Sequence, residues 1–180
     1  NLSAMGLVSV DEPRYAAIAQ AMAATGDWVT PRLWGSPWFE KPALLYWAMA
    51  LSFKVFGETE FAARFPSAMS AALTVFFVYF ACRKLWGKPT ALAASVILVS
   101  SIGFLTFSRA ASMDMPLTVC LTMALLSFML GQRASEPNRR WWFLVFYAFL
   151  GFGVLAKGPV ALVLPAASLF GYLAIRKKWW

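Results

Sequence analysis

The chain has 180 residues, of which 61% are hydrophobic and only 13% charged, and its formal net charge is +8. A soluble domain carries about 25% charged residues, so this composition excludes a domain whose whole surface faces water. The basic residues form short clusters between apolar runs and not one continuous stripe, which argues against nucleic-acid binding and favours a membrane protein.

The first ten residues are apolar but too short to cross a bilayer by themselves. We expect them to be the end of an earlier membrane span. The chain starts without an initiator methionine, and its last residues are Arg176-Lys177-Lys178-Trp179-Trp180. We therefore expect it to be the N-terminal part of a longer protein.

A helix outside the membrane core is predicted next. The acidic pair Asp11-Glu12 and the proline that follows are typical of a helix start, and Gly26 is typical of a helix end. Arg14 and Tyr15 are three and four residues past Asp11, so a helix places all three side chains on one face.

An aromatic-rich loop over residues 27–41 leads to a second helix, predicted between Pro42 and Gly57. Only 12 uncharged residues separate Lys41 from Lys54, which is too few to cross a bilayer. We expect this helix to lie along the membrane interface, so residues 1–63 end one span and then form a juxtamembrane helical loop.

Five uncharged stretches of 16 to 20 residues follow, and each is close to the length that a transmembrane helix needs. The predicted fold is therefore all-α, a polytopic membrane helix bundle over residues 64–180. Its spans are predicted near residues 65–83, 89–108, 115–132, 141–156 and 158–175.

The loops between these spans alternate in charge. One set holds nine basic residues and a single acid, whereas the other set holds seven of the eight acidic residues. Because cytoplasmic loops carry the excess of Lys and Arg, we expect the acidic side, which includes residues 1–63, to face the periplasm or an equivalent lumen. Any chemistry that uses carboxylates is expected on that side.

Two candidate sites lie in residues 11–63. Asp11 can accept or orient a proton of an acceptor hydroxyl, and Arg14 can bind a phosphate with its planar guanidinium. Glu40 offers an oxygen ligand to a cation and Lys41 a contact to a phosphate. A helix cap with a surface ion pair, and a solvated turn, are the structural alternatives.

Two further candidates lie at turns between spans on the same side. Asp114 is an acid at the end of a span, where charges are costly unless they are paired or functional, and Arg109 is its expected partner. Helix capping ahead of Pro116 is the alternative. Lys157, in an Ala-Lys-Gly-Pro turn, can contact a lipid phosphate or act as an anchor at the interface.

Three other observations do not indicate a functional site. Cys82 and Cys120 lie inside apolar runs without ligand spacing, so they are expected to be buried thiols. The chain has no histidine, which removes the commonest metal ligand. Glu60 and Arg64, four residues apart, predict an ion pair at a span entrance.

Six motifs, in this order, resemble the dolichyl-phosphate-mannose protein mannosyltransferase superfamily of GT-C glycosyltransferases, and especially the bacterial aminoarabinose transferases that modify lipid A. The resemblance covers nearly the whole chain. The motifs are DEPRYA (11–16), GDWVTPRLWG (26–35), FEKPALLYW (39–47), ETEFAARFPSAM (58–69), SMDMP (112–116) and LAKGP (155–159).

The resemblance implies an integral protein of the bacterial inner membrane that moves a sugar from a polyprenyl-phosphate donor to a lipid A, glycolipid or protein acceptor on the periplasmic side. It implies that Asp11 and Asp114 are catalytic carboxylates and that Glu40 is a metal or donor-site acid. A divalent metal ion is the one cofactor that it suggests. The residues expected to contact the donor phosphate are Arg14, Tyr15, Lys41 and Lys157.

Members of this family have more spans than this chain, so we expect residues 1–180 alone to be inactive. Two other classes remain open from the sequence. A transporter subunit would carry charges inside its spans, which are uncharged here. A non-catalytic membrane scaffold would not require Asp11, Glu40 and Asp114 to converge.

Overall fold

The computed structural model describes residues 2, 3, 6, 7 and 11–176, without the side chain of Arg176. Most of the predicted earlier span (residues 1–10), and Lys177 and Lys178 of the last basic cluster, lie outside the described residues. The elements in chain order are α1 Asp11–Thr25, β1 Arg32–Leu33, β2 Ser36–Pro37, α2 Leu44–Phe56, α3 Glu60–Trp86, α4 Lys88–Ser100, α5 Ile102–Ser108, α6 Asp114–Arg133, α7 Asn138–Lys157 and α8 Val160–Arg176.

The helices α1 and α2 pack against each other in the segment that is predicted to lie beside the membrane. Their facing side chains, among them Ile18, Met22, Leu45 and Met49, are almost completely buried in one apolar core. Gly57 ends α2 with a φ of 77°, a conformation that favours glycine. At 13 residues, α2 is about 20 Å long, shorter than the roughly 30 Å apolar core of a bilayer.

The loop between α1 and α2 contains a two-residue hairpin, β1–β2, that the sequence reasoning did not anticipate. Trp34 and Gly35 turn the chain with φ values of 50° and 83°, the positive values of a tight hairpin turn. The carboxylate of Asp27 accepts hydrogen bonds from the N–H groups of Val29 and Thr30, and these bonds lower the pKa of Asp27. The hairpin therefore follows a turn that is held by hydrogen bonds from backbone N–H groups to the Asp27 carboxylate.

Among the described residues, three helices, α3, α6 and α7, are long and apolar enough to cross a membrane. The segment predicted as one span near residues 89–108 forms α4 and α5, which meet at Ser101 with a bend of 67° and count as a fourth span only if taken together. The last helix, α8, is a shorter apolar helix. The count of five spans therefore stays a prediction.

The spanning helices pack closely through small residues. A Cβ atom added at Gly153 of α7 would lie 2.9 Å from the Cβ of Ala161 and 3.6 Å from that of Cys120. Glycine at this position therefore lets α6, α7 and α8 approach each other. By contrast, large apolar side chains on the outer faces, such as Ile97 and Val163, are exposed by 69% and 62%, as expected of surfaces that contact lipid.

Candidate active site

The first two predicted constellations form one cluster. Arg14 Nη1 lies 3.7 Å from Asp11 Oδ1 on the same helix and 3.5 Å from Glu40 Oε2, which comes from the loop before α2. Lys41 Nζ lies 3.3 Å from Glu40 Oε1. Two carboxylates and two cations therefore alternate at the start of α1, and we call Asp11, Arg14, Glu40 and Lys41 the charged cluster.

The charged cluster is accessible to a ligand. The side chains of Arg14 and Lys41 are exposed by 29% and 39%, and that of Asp11 by 62%. The guanidinium of Arg14 lies 5.8 Å from the centre of the Trp38 ring, a cation–π contact that limits where it can point. The two cations of the charged cluster, Arg14 and Lys41, are thus held in place without being buried.

Asp114 and Lys157, the other two predicted site residues, form an ion pair with each other. Ser112 Oγ donates a hydrogen bond of 2.6 Å to Asp114 Oδ2 and accepts one from the Asp114 N–H. Among the described residues the cation paired with Asp114 is Lys157, so the prediction of Arg109 as its partner is wrong. The ion pair joins the start of α6 to the end of α7.

Tyr15 links the charged cluster to Asp114. Its ring is 6% exposed and packs edge-to-face on Tyr46 at 5.9 Å between centroids. Burial raises the pKa of Tyr15, and the negative charges of Asp11, Glu40 and Asp114 raise it further, whereas Arg14 lowers it. Arg14 joins two of the predicted acids, Asp11 and Glu40, by direct contacts, and Asp114 is a weaker influence on the same phenol.

The sequence reasoning missed a buried ion pair behind the site. Arg64 Nε and Nη2 donate to the two carboxylate oxygens of Glu12 at 3.2 and 3.0 Å, and both residues are about 5% exposed. Arg64 also donates to the carbonyl oxygens of Leu2 and Gly6 at 2.8 Å each. Its carboxylate partner in the described part of the chain is Glu12, so the predicted pair with Glu60 is wrong.

Glu12 also holds the chain segment that leads to Asp114. The N–H of Ala111 donates to Glu12 Oε1 at 2.6 Å, and Ser67 of α3 contacts the backbone of Ser112 at 3.3 Å. Asp11 directly precedes Glu12, and Asp114 is three residues past Ala111. The buried pair therefore fixes the backbone close in sequence to both candidate catalytic carboxylates.

The residues present do not form a metal centre by themselves. Within the described ranges no three His, Cys, Asp or Glu side chains lie close enough together to hold a metal ion. Both oxygens of Glu40 contact cations, from Arg14 and Lys41. A metal at Glu40 stays a prediction, and we derive no chemical step through it.

The fold is that of a polytopic helical membrane protein, and comparison with known proteins places it in a family. The family described as dolichyl-phosphate-mannose-protein mannosyltransferase matches residues 40–180. The chain belongs to this family, and the resemblance seen in its motifs is confirmed.

Individual relatives match almost the whole chain. It is 36% identical over 181 residues to the undecaprenyl phosphate-alpha-4-amino-4-deoxy-L-arabinose arabinosyl transferase of Pseudomonas aeruginosa (strain UCBPP-PA14). The match covers 99% of this chain and 33% of that relative. It is 34% identical over 174 residues to the transferase of the same name from Aeromonas hydrophila, with 96% and 32% covered. The chain thus spans about a third of the length of these relatives.

Solved structures agree with the fold. ArnT from Cupriavidus metallidurans in the apo state superimposes with a TM-score of 0.95 at 32% identity, over 99% of this chain and 34% of that one. The structure of the same protein bound to undecaprenyl phosphate gives a TM-score of 0.96 at 32% identity, over 99% of this chain and 33% of that one. The predicted all-α membrane fold is therefore confirmed.

Proposed function

We propose that the protein to which this chain belongs transfers a sugar from a polyprenyl-phosphate donor to an acceptor at the periplasmic face of the inner membrane. The observation that carries the proposal is the charged cluster, in which Arg14 and Glu40, motif residues 26 positions apart, meet at 3.5 Å. The names of the relatives favour undecaprenyl phosphate-linked aminoarabinose as the donor.

Arg14 and Lys41 are suited to bind the donor phosphate. When the bond between the sugar C1 and the phosphate oxygen breaks, the electron pair stays on that oxygen, and the leaving polyprenyl phosphate gains negative charge. Preorganised cations stabilise such a charge strongly, because they need no reorientation during the reaction. Contacts with Glu40 and Trp38 hold the two cations before the donor arrives.

Asp11 is suited to act on the acceptor. Its side chain is the most exposed of the four in the charged cluster, so an acceptor can approach it from solvent. An acceptor hydroxyl would pass its proton to the Asp11 carboxylate as the oxygen attacks C1. A phosphate acceptor is already ionised, and Asp11 would then orient it.

In this proposal Asp114 and Lys157 belong to the same site as the charged cluster. Asp114 is fixed by Ser112 and Lys157, and its charge acts on Tyr15 together with those of Asp11 and Glu40. In this proposal Tyr15 donates a hydrogen bond to the donor phosphate, and Lys157 exchanges its contact with Asp114 for a phosphate oxygen when the donor is bound.

Two buried donors beside the charged cluster support a polar ligand. Trp38 Nε1 and Tyr46 Oη have no hydrogen-bond partner among the described residues. Leaving a buried donor unpaired costs about 1–3 kcal/mol, and a bound sugar or an ordered water near the cluster would remove that cost. Both residues contact the site, Trp38 beneath Arg14 and Tyr46 against Tyr15.

The donor and the acceptor are tested with full-length protein in membranes. We expect it to transfer aminoarabinose from undecaprenyl phosphate to lipid A, detected as a mass increase of lipid A. A parallel reaction offers polyprenyl-phosphate mannose with a Ser/Thr-containing peptide and with a glycolipid. Transfer only in the parallel reaction would assign a mannose donor and a peptide or glycolipid acceptor instead. Transfer in neither reaction would favour a scaffold or a transporter subunit.

A further inference from the structure

An apolar cavity of about 200 Å³ lies between α3, α6 and α7, at the ends of these helices that are far from the charged cluster. The cluster and Asp114 lie near the starts of α1 and α6, whereas the cavity involves the second halves of α3 and α6 and the start of α7. Its lining residues are Phe76, Phe77, Phe80, Ala81, Met123, Leu126, Ser127, Leu130 and Trp142.

The shape and lining of the cavity fit a hydrocarbon chain. All lining side chains are apolar or aromatic except Ser127, which is buried. The lining is therefore suited to a length of flexible hydrocarbon chain.

A lysine lies next to the cavity. Lys84 Nζ is 5.2 Å from the ring of Phe80 and 5.5 Å from the ring of Trp142, and both rings line the cavity. Lys84 is exposed, so its ammonium group lies above the aromatic wall at the protein surface. A ligand with a chain between the helices would meet this charge with its polar end.

The surface around Lys84 is strongly basic. In the described part of the chain this end of the bundle holds six exposed basic residues and one acid, Glu136, which pairs with Arg140 at 3.4 Å. The charge bias indicates that this end faces the cytoplasm, where the membrane surface is negative. The six basic residues are Arg83, Lys84, Lys88, Arg133, Arg139 and Arg140.

We propose that this cavity binds an anionic phospholipid of the cytoplasmic leaflet, with one acyl chain in the cavity and the phosphate group at Lys84. Basic pockets between transmembrane helices on this side of a membrane bind anionic headgroups. The apolar lining and the positive surface each match one half of such a lipid. This site is distinct from the proposed donor site, because it lies at the opposite ends of α3 and α6.

Native mass spectrometry of the full-length protein tests this proposal. The protein is purified in detergent and mixed with phosphatidylglycerol or phosphatidylcholine of the same chain length. We expect selective retention of one phosphatidylglycerol molecule by the wild type. One basic residue near the membrane surface changes lipid binding about fivefold, so Lys84→Ala should reduce the retained fraction by about that factor.

Two further variants separate the headgroup from the chain. Lys88→Ala removes the same charge from the same end but leaves the cavity and its aromatic wall unchanged, so it should reduce retention less than Lys84→Ala does. Ala81→Leu fills the cavity without a change of charge and should reduce retention. Equal retention of both lipids, equal effects of Lys84→Ala and Lys88→Ala, or a photo-cross-link from a photoreactive amino acid at position 80 to a segment of the full-length protein outside α3, α6 and α7 would overturn the proposal.

Discussion

At the residue scale, the pair of Glu12 and Arg64 makes the sharpest stability prediction. Glu12→Gln leaves the guanidinium of Arg64 buried without its countercharge. Breaking a buried pair in this way costs about 3–5 kcal/mol, so the apparent Tm of the purified full-length protein should fall markedly. Light-scattering or fluorescence melts measure the change.

Glu60→Gln is the matched control, because Glu60 is an exposed glutamate four residues before Arg64. It should leave the Tm nearly unchanged, since surface ion pairs contribute about 0–1 kcal/mol. Replacing Arg64 by Met in the Glu12→Gln protein should recover part of the loss, because no buried charge is then left unpaired. Equal melting of the two single variants would contradict the role given to Glu12.

Tyr15 provides a prediction about pH. Its pKa is raised above the ordinary value of 10.0 by burial and by the neighbouring carboxylates, so the phenol stays protonated and able to donate its hydrogen from about pH 6 to about pH 9. Tyr15→Phe keeps the packing on Tyr46 but removes one hydrogen bond. We expect transfer to fall about twofold to tenfold, by the same factor across this pH range.

The exposed Tyr147 supplies the control for Tyr15. Tyr147→Phe should leave the rate unchanged. If the wild type lost activity between about pH 8 and about pH 9 and Tyr15→Phe did not, the phenol would be ionising, and the raised pKa would be wrong.

The residues of the charged cluster could be predicted from the sequence, but the two ion pairs outside the cluster could not. Asp11 and Arg14 are three residues apart on a helix, and helical periodicity is enough to pair them. Glu12 and Arg64 are 52 residues apart, and Asp114 and Lys157 are 43 apart. Such contacts depend on how helices pack, which local spacing does not record.

At the element scale, α6, α7 and α8 depend on glycine at their closest approach. A Cβ at Gly153 would lie 2.9 Å from the Cβ of Ala161, whereas a Cβ at Gly151 would have no atom within 4 Å. Both glycines are in α7. Gly153→Ala should lower the apparent Tm, since overpacking costs about 1–3 kcal/mol, while Gly151→Ala should leave it unchanged or raise it slightly.

Thermal melts of these two variants compare the same chemical change on one helix. Because Lys157 is four residues past Gly153, we also expect Gly153→Ala to reduce sugar transfer by displacing the Lys157–Asp114 ion pair. The close contact of α7 with α6 and α8 would be ruled out if Gly153→Ala melted at or above the temperature of Gly151→Ala.

Two elements could not be predicted from the sequence pattern. The uncharged run 89–108 has the length of one span, but the structure bends it by 67° at Ser101, and no Pro or Gly occupies that position to signal a break. The hairpin of residues 32–37 is too short for alternation to reveal. By contrast, Gly57 and the capping Thr59, whose side chain accepts from the Ala62 N–H at 3.2 Å, are readable signals.

At the scale of the whole molecule, the distribution of acidic residues along the chain indicated the segments that hold the candidate site better than any single motif did. Seven of eight acids lie in the segments expected on one side of the membrane, and the charged cluster, Asp114 and Lys157 are all found in these segments. The contact of Asp11 and Glu40 with one guanidinium, that of Arg14, is a feature that a non-catalytic scaffold does not require. The orientation itself and the number of spans remain predictions, because they depend on the surrounding bilayer.

The central claim is that the charged cluster is the site of sugar transfer, and Asp11 tests it most directly. The rate of transfer from a radiolabelled polyprenyl-phosphate sugar is measured in membranes that contain equal amounts of full-length wild type, Asp11→Asn and Glu58→Gln, the last an exposed acid outside the cluster. A positioned acid or base contributes about 100-fold or more, so Asp11→Asn should lose at least that factor while Glu58→Gln keeps the wild-type rate. Wild-type transfer by Asp11→Asn would contradict the account.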